Sequence, residues 1–202
     1  MTRLLTLSLA LTVSSLLGAC APSLKSYADP SYRKGTTAQL LAIDPPLPVR
    51  VDVQFQQRGE HKPNSDIRLR GHVERALLAS RMLVPDQLST RVLRVVVNNV
   101  GDASEARAAG IKNGLSFGLA GSVVTDEYQF NISYTDGEGK KSDVFFRHAI
   151  HTAVGQADLP TGTKPLKPQE AYGETVQDAV TGALLQWQGE GVLASASAGA
   201  TP

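Results

Sequence analysis

The stretch VVTDEYQFNISYTDGEGKKSDVFFRHAIHTAV, residues 123–154, decides the fold. Tyr128, Phe130, Ile132 and Tyr134 fall on one side of an extended chain, with Gln129, Asn131 and Ser133 on the other. A period of two residues marks a strand with one buried face. Asp136-Gly137 then begins a tight turn that ends near Lys140. The remainder, SDVFFRHAIHTAV (142–154), is the returning strand of an antiparallel hairpin.

Toward the amino terminus, TRVLRVVVNNV (90–100) is β-branched, with Leu93, Val95 and Val97 on one face. VRVDVQF (49–55) sets Val49, Val51, Val53 and Phe55 against Arg50, Asp52 and Gln54. Between these strands, residues 66–83 place Leu69, Val73, Leu77 and Ser80 or Met82 on one helical stripe, with Arg68, Arg70, Glu74 and Arg75 mostly off it. Asn64 or Ser65 is the expected cap, and Pro85 the expected stop. Toward the carboxyl terminus, a Pro/Gly loop (155–168) leads into a helix over 168–188. Its buried stripe is Tyr172, Val176, Val180, Ala183, Leu184 and Trp187, the last a core residue. The order is β-α-β-insertion-β-β-α. The β-α-β unit implies a parallel pair, and the hairpin is antiparallel. The expectation is an α+β two-layer sandwich, a four-stranded mixed sheet with two helices on one face.

The domain is expected over 49–188, with a glycine-rich insertion at 101–122. Residues 21–48 contain Pro22, Pro30, Pro45, Pro46 and Pro48. They read as a flexible tether, able to reach on the order of 80 Å if extended at ~3.1 Å per residue. Tyr27, Tyr32 and QLLAI (39–43) offer the alternative of docking on the domain or a partner. Residues 189–202, GEGVLASASAGATP, read as a disordered tail.

The first twenty residues, MTRLLTLSLALTVSSLLGAC, have a positive Arg3 and an uncharged, Leu-rich run from Leu4 to Leu17. That run is short for a bilayer-spanning helix, which needs ~20 apolar residues, and suits a signal peptide at 1–20. Leu17-Gly18-Ala19-Cys20 resembles the lipobox of bacterial lipoproteins, which are cut before the cysteine and acylated on it. An ordinary signal with a chance cysteine is the alternative. The resemblance implies an anchor at Cys20 and, because residue 21 is Ala rather than Asp, export to the outer membrane facing the periplasm. Cys20 is the only cysteine, which removes internal disulfides, thiol catalysis and thiolate metal sites. The formal net charge of +1, with both signs scattered, carries no basic field for nucleic acid.

The insertion has two readings. Gly114-Leu115-Ser116-Phe117-Gly118 matches G-x-S-x-G, the serine-hydrolase elbow. That elbow needs a strand running into the serine and a helix after it. Here the strand ends near Val100, a helical-looking GDASEARAAGIKN intervenes, and strand residues follow. Asp126, Asp136, Asp143, His148 and His151 are the available partners, but the two histidines point to opposite faces of one strand. The second reading takes Ala106, Gly110, Gly114 and Gly118 as one small-residue helix face that another backbone can approach. Each glycine costs a helix ~1 kcal/mol relative to Ala, so such a helix needs a partner. Arg107 and Lys112 argue against a full membrane crossing. A lipid-facing strand over 114–124 and a plain glycine loop remain open. Gly110, Gly114, Leu115, Phe117, Gly118 and Leu119 are the expected contact residues for a partner or membrane, and Ser116 is incidental.

Elsewhere, His61 lies in a Pro/Lys loop and His72 near the polar edge of its helix. His148 and His151 lack a third ligand at metal spacing, and Asp136, Glu138 and Asp143 lack the calcium-loop pattern. No cofactor is expected. The element order is loosely similar to small lipoproteins of outer-membrane assembly, such as the lipopolysaccharide-assembly lipoprotein or the curli-secretion lipoprotein. The expected function is a lipid-anchored, non-enzymatic binding or assembly module of an envelope complex. It would act through an envelope protein partner or self-association, using the insertion and an exposed sheet edge. The alternatives are a subunit of an oligomeric secretion or pore complex, and a small hydrolase using Ser116.

Overall fold

The computed structural model describes residues 24–101, 122–154 and 157–193. In chain order these form β1 (Lys25–Ala28), β2 (Leu47–Gln57), β3 (Glu60–His61), α1 (Pro63–Ser80), β4 (Leu83–Pro85), β5 (Val92–Asn99), β6 (Ser122–Thr135), β7 (Lys141–Val154) and α2 (Pro168–Gly189). Two short 3-10 turns, Pro30–Tyr32 and Thr37–Gln39, lie between β1 and β2.

The α+β class and the mixed sheet stand, with two α-helices among the described residues. The sheet, however, has seven strands rather than four, ordered β1-β7-β6-β5-β2-β3 with β4 beside β2. The three added strands are two to four residues long, too short for a periodicity to reveal them. The four long strands are the expected ones. β2 and β5 run parallel, with Val51 opposite Leu93 and Val53 opposite Val95. β6 is antiparallel to both β5 and β7. Asp136 closes the hairpin turn as its Oδ1 accepts from the backbone of Glu138 and Lys140, an Asx turn of the kind this residue favours.

One face of the sheet is the core. Val49, Val51, Leu93, Val95, Val97, Phe130, Ile132 and Tyr134 are buried there against Leu69, Val73 and Leu77 of α1 and Val176, Val180, Leu184 and Trp187 of α2. Trp187 lies 5.8 Å from the Tyr134 ring, centroid to centroid. The opposite face carries Asp52, Gln54, Arg94, Asn131, Asp143 and Arg147 and has no helical layer among the described residues, as antiparallel sheets permit. Helix α1 starts at Pro63, three residues before the expected Asp66, because proline at the first turn has no N–H to leave unpaired. It ends at Ser80, with Arg81 left-handed at φ 56°, so the chain has turned into β4 before Pro85 could stop it.

The stretch 21–48 is where expectation and structure part most. Residues 25–28 are not loose: they pair antiparallel with β7, Lys25 opposite Ala153 and Ala28 opposite Ile150. The chain then crosses α2 as a belt. Arg33 Nε donates to Asp178, the Leu41 amide donates to Gln188 Oε1 at 2.7 Å, and the Ile43 amide reaches the Arg81 carbonyl. The docking alternative for Tyr27, Tyr32 and QLLAI is the one the structure adopts. The belt explains why Thr181 and Gly182, off the expected stripe, are buried: a Cβ at Gly182 would sit 3.2 Å from Lys34 Cβ and 3.3 Å from Phe146 Cζ. At the far end, Gly191 (φ 72°) lets the Val192 amide bond back to the Trp187 carbonyl, a Schellman closure. Leu193 is buried by it, so the expected tail from 189 is ordered through 193.

β2 and β7 run the same way across the sheet, since each is separated from its neighbour by the pairings above. The helices that follow them therefore start at one common end, which also carries Lys25, Asn99, Ser122 and Val154. Among the described residues no helix is long and apolar enough to cross a membrane.

Candidate functional site

One concave feature built by these elements is a groove between α1, from Arg68 to Ala79, and the first half of α2. The helices press closely together at Gly173, where a Cβ would lie 2.8 Å from the His72 ring. Around that contact the groove opens to about 920 Å³, walled by Arg68, His72 and Arg75 from α1, Gln169, Glu174 and Gln177 from α2, and Lys164 from the preceding loop. At the start of both helices it meets a smaller cavity of about 190 Å³ lined by Phe55, Tyr128 and Tyr172, with Arg68 and Gln169 shared.

The aromatic floor is tightly built. Tyr172 meets Phe55 edge-on at 6.1 Å, His72 edge-on at 5.5 Å and Tyr128 at 5.6 Å. The Tyr172 hydroxyl is buried and has no hydrogen-bond partner among the described residues. Burial pushes both Tyr128 and Tyr172 well above the ordinary phenol range, so both stay neutral. His72 is held below its ordinary range, first by burial and then by the charges of Arg75 and Arg68. Its Nδ1 accepts from Arg75 Nη2 at 2.7 Å, which fits the neutral ring. The groove thus offers an apolar floor, a cationic α1 wall and amides and carboxylates on α2, a pattern for an amphipathic guest with an anionic part. Glu170 is occupied, its carboxylate accepting from the Lys167 amide at 2.9 Å.

The two histidines of β7 point to opposite faces, as their odd spacing requires. His148 is buried on the helix side, with Nε2 3.5 Å from Asp178 Oδ2 and its ring 5.6 Å from Tyr32. His151, on the other side, has Nδ1 2.9 Å from Thr125 Oγ1 and Nε2 3.2 Å from Asp29 Oδ2. Tyr27 lies 4.9 Å from its ring. Each histidine thus holds one part of the belt. Burial raises the Asp29 carboxyl, but hydrogen bonds from Ser31 and His151 and the His151 charge outweigh it and leave the group below the usual carboxylate range.

Thr125–His151–Asp29 has the connectivity of a hydroxyl, a base and an acid. Thr125 and His151 face each other on neighbouring strands, the fourth of fourteen pairs from the common end of the β6–β7 ladder. The acids offered by the sequence for a serine triad, Asp126, Asp136 and Asp143, are not the ones the histidines meet. Among the described residues no cluster of three metal-ligating side chains occurs.

Cys20, Gly110, Gly114, Leu115, Ser116, Phe117, Gly118 and Leu119 lie outside the described residues. The insertion leaves from Gly101 and returns at Ser122, both at the common end of the sheet. The groove itself was missed in the sequence, where Arg68 and Arg75 read only as lying mostly off the buried stripe. Gly173 was the available signal, a glycine inside a helix at the position where another helix presses against it.

No protein-family model and no curated protein matches the chain. Solved structures with a related layout include the PelC dodecamer from Paraburkholderia phytofirmans, 13% identical, covering 81% of this chain and 97% of that one at a TM-score of 0.35. A minor lipoprotein from Acinetobacter baumannii is 15% identical, covering 77% and 95% at 0.32. A protein of the DUF330 family model from Xanthomonas campestris is 17% identical, covering 83% and 92% at 0.31. At these scores the likeness says nothing about activity or partners, which are reasoned from the residues of this chain.

Proposed function

We propose that this chain is a lipid-anchored, non-enzymatic binding module of the bacterial envelope, acylated at Cys20 and held at the periplasmic side of the outer membrane. It works by pairing with an extended segment of an envelope protein. The observation that carries this reading is the unequal closure of the two sheet edges. On β2, the outer edge is occupied by its own neighbours: the Phe55 amide donates to Asp66 Oδ1, the Phe55 carbonyl accepts from the Lys62 amide, and the Val51 carbonyl accepts from Arg70. On β7, strand pairing on the outer side stops at Ile150, and residues 141–147 have no strand partner there among the described residues. Phe145 in that stretch is 52% exposed. An unpaired edge with an apolar side chain is the usual template for strand addition, and Lys141, Asp143 and Arg147 limit which segment can pair there. The contact residues expected in the insertion, Gly110, Gly114, Leu115, Phe117, Gly118 and Leu119, would supply a separate contact, since Gly101 and Ser122 lie at the common end and residues 141–147 at the other.

The test is a photo-crosslinking residue placed at Phe145 in the full, acylated chain in native membranes, with the same residue at Leu88 as control. A discrete adduct with an envelope protein from position 145 alone is the expected result, and the loss of that adduct in Gly114→Leu plus Gly118→Leu would mean that the same partner also needs the insertion. An adduct with a second copy of the chain instead supports the oligomeric secretion or pore subunit. No adduct from position 145, together with Ser116-dependent labelling by a fluorophosphonate, would replace the binding reading with the hydrolase.

A further inference from the structure

The belt shortens the leash. Between Cys20 and Leu24 the chain is at most ~14 Å long even when fully extended. Leu24 adjoins β1, which is fixed to the sheet through Lys25–Ala153 and, on its other side, through mutual backbone bonds between Ser26 and Leu166. The lipid headgroup layer is itself ~5–8 Å thick per leaflet. An acylated Cys20 therefore cannot hang the domain at a distance. It must bring the common end of the sheet against the bilayer.

That end has the composition for it. Among the described residues, three of the seven exposed large hydrophobic residues lie toward it: Leu24 at 48%, Val123 at 53% and Ile67, the fifth residue of α1, at 82%. The exposed lysines Lys25, Lys164 and Lys167 stand among them, and Lys167 shares a cleft with Leu24 and Pro168. Of the carboxylates nearby, Asp66 and Glu170 are engaged within the fold, and the exposed Glu60 is paired with Lys62. Asp66 accepts from Phe55 and pairs with His61, and Glu170 caps the Lys167 amide. Apolar tips between lysines are complementary to an anionic phospholipid surface, where the headgroups attract basic side chains and the interface accepts small apolar ones.

We infer that the end of the domain formed by Leu24, Lys25, Ile67, Val123, Lys164 and Lys167 docks on the phospholipid surface, so that the α1–α2 groove opens beside the headgroups. This rests on the lipoprotein reading proposed above. The opposite end, marked by Leu88 at 93% exposure, then points into the periplasm.

The experiment uses the full, acylated chain in vesicles of phosphatidylethanolamine and phosphatidylglycerol. Cys20 is the only native cysteine and its thiol is consumed by acylation, so a single new cysteine at Ile67 or at Leu88 takes a fluorophore cleanly. Both sites are exposed, and neither replacement disturbs the core. Quenching by a shallow, lipid-borne quencher is expected to be severalfold stronger at position 67 than at 88. Combined Lys25→Glu, Lys164→Glu and Lys167→Glu should bring the two sites closer together. Equal quenching in protein whose amino-terminal peptide carries the acyl chains overturns the orientation and leaves the anchor standing. An unmodified amino-terminal peptide, or protein that fails to sediment with the vesicles, overturns both.

Discussion

Helix α2 has two flanks, and the chain treats them differently. Along one, residues 33–41 of the belt lie directly on it, with Arg33 on Asp178, Lys34 over Gly182 and Leu41 tied to Gln188. Along the other, toward α1, the helices touch at Gly173 and then part to leave the groove. Both contacts are made by a glycine whose missing side chain another element fills. On the belt side the space is filled by backbone-proximal atoms of Lys34 and by a core ring, Phe146. On the groove side it is filled by the ring of His72, which borders open space. The first flank is built for permanence, the second for access.

The largest effect should come from attacking the belt side. Gly182→Leu forces a branched side chain against Lys34 and Phe146, and overpacking of this kind costs about 1–3 kcal/mol. Urea unfolding should show the lower midpoint, and trypsin should cut at Arg33 and Lys34 faster than in the parent. If the midpoint and the cleavage rate both hold, the belt is not part of the packed structure.

A second, smaller effect concerns how the belt begins. Asp29→Asn weakens the contact to His151 and should cost about 1 kcal/mol. The parent carboxyl is held below its ordinary range, so the folded state favours its charged form. The stabilisation is present above the unfolded value of about 3.9 and is lost as the pH falls through the lower, folded one. Amide exchange at Tyr27 and Ala28 should therefore accelerate, relative to its intrinsic rate, below about pH 4 in the parent. The variant should show a flatter profile. A parent profile as flat as the variant's would remove Asp29 from this role.

The smallest effect is expected on the groove side. Gly173→Ala gains helix propensity of about 1 kcal/mol while pushing the His72 ring aside into open space, so net stability should barely move. The readable change is in titration. His72 disfavours its proton in the fold, so its contribution is complete above about pH 6.5 and declines as the pH falls through that value, until the folded ring titrates as well. His72→Gln should abolish this slope in thermal midpoints between pH 7.5 and 5, and Gly173→Ala should reduce it by exposing the ring to water. If Gly173→Ala destabilises as much as Gly182→Leu, the two flanks are equally closed and the distinction between them fails.

What was readable from the chain follows from which signals are local. The hairpin of β6 and β7, the alternation in β2 and β5 and the stripes on both helices each repeat over two or more periods within one element, and all are seen. β1, β3 and β4 offer two to four residues each, too few for a period. The belt was harder still, because Pro22, Pro30, Pro45 and Pro46 carry the composition of a linker. Its only sequence counterparts were Tyr27, Tyr32 and the apolar 39–43, together with Gly182 a hundred and forty residues away. The groove left a similar trace, Gly173 against His72. A glycine within a helix reports that something presses there but does not say what.

The amino-acid sequence by itself determined the long elements, the α+β class and which face of each element is apolar, because these are set by side-chain periods of 2 and 3.6 along one continuous backbone. Its first twenty residues likewise hold the lipobox resemblance on which the proposed location rests. Only the tertiary structure decided that the proline-rich stretch pairs with Ile150–Ala153 at the edge of the sheet and straps α2, that Asp29 and Asp178 meet the two histidines, and that residues 141–147 have no strand partner on their outer side among the described residues. Those outcomes depend on backbone hydrogen bonds and contacts between residues more than a hundred positions apart, which no local period records.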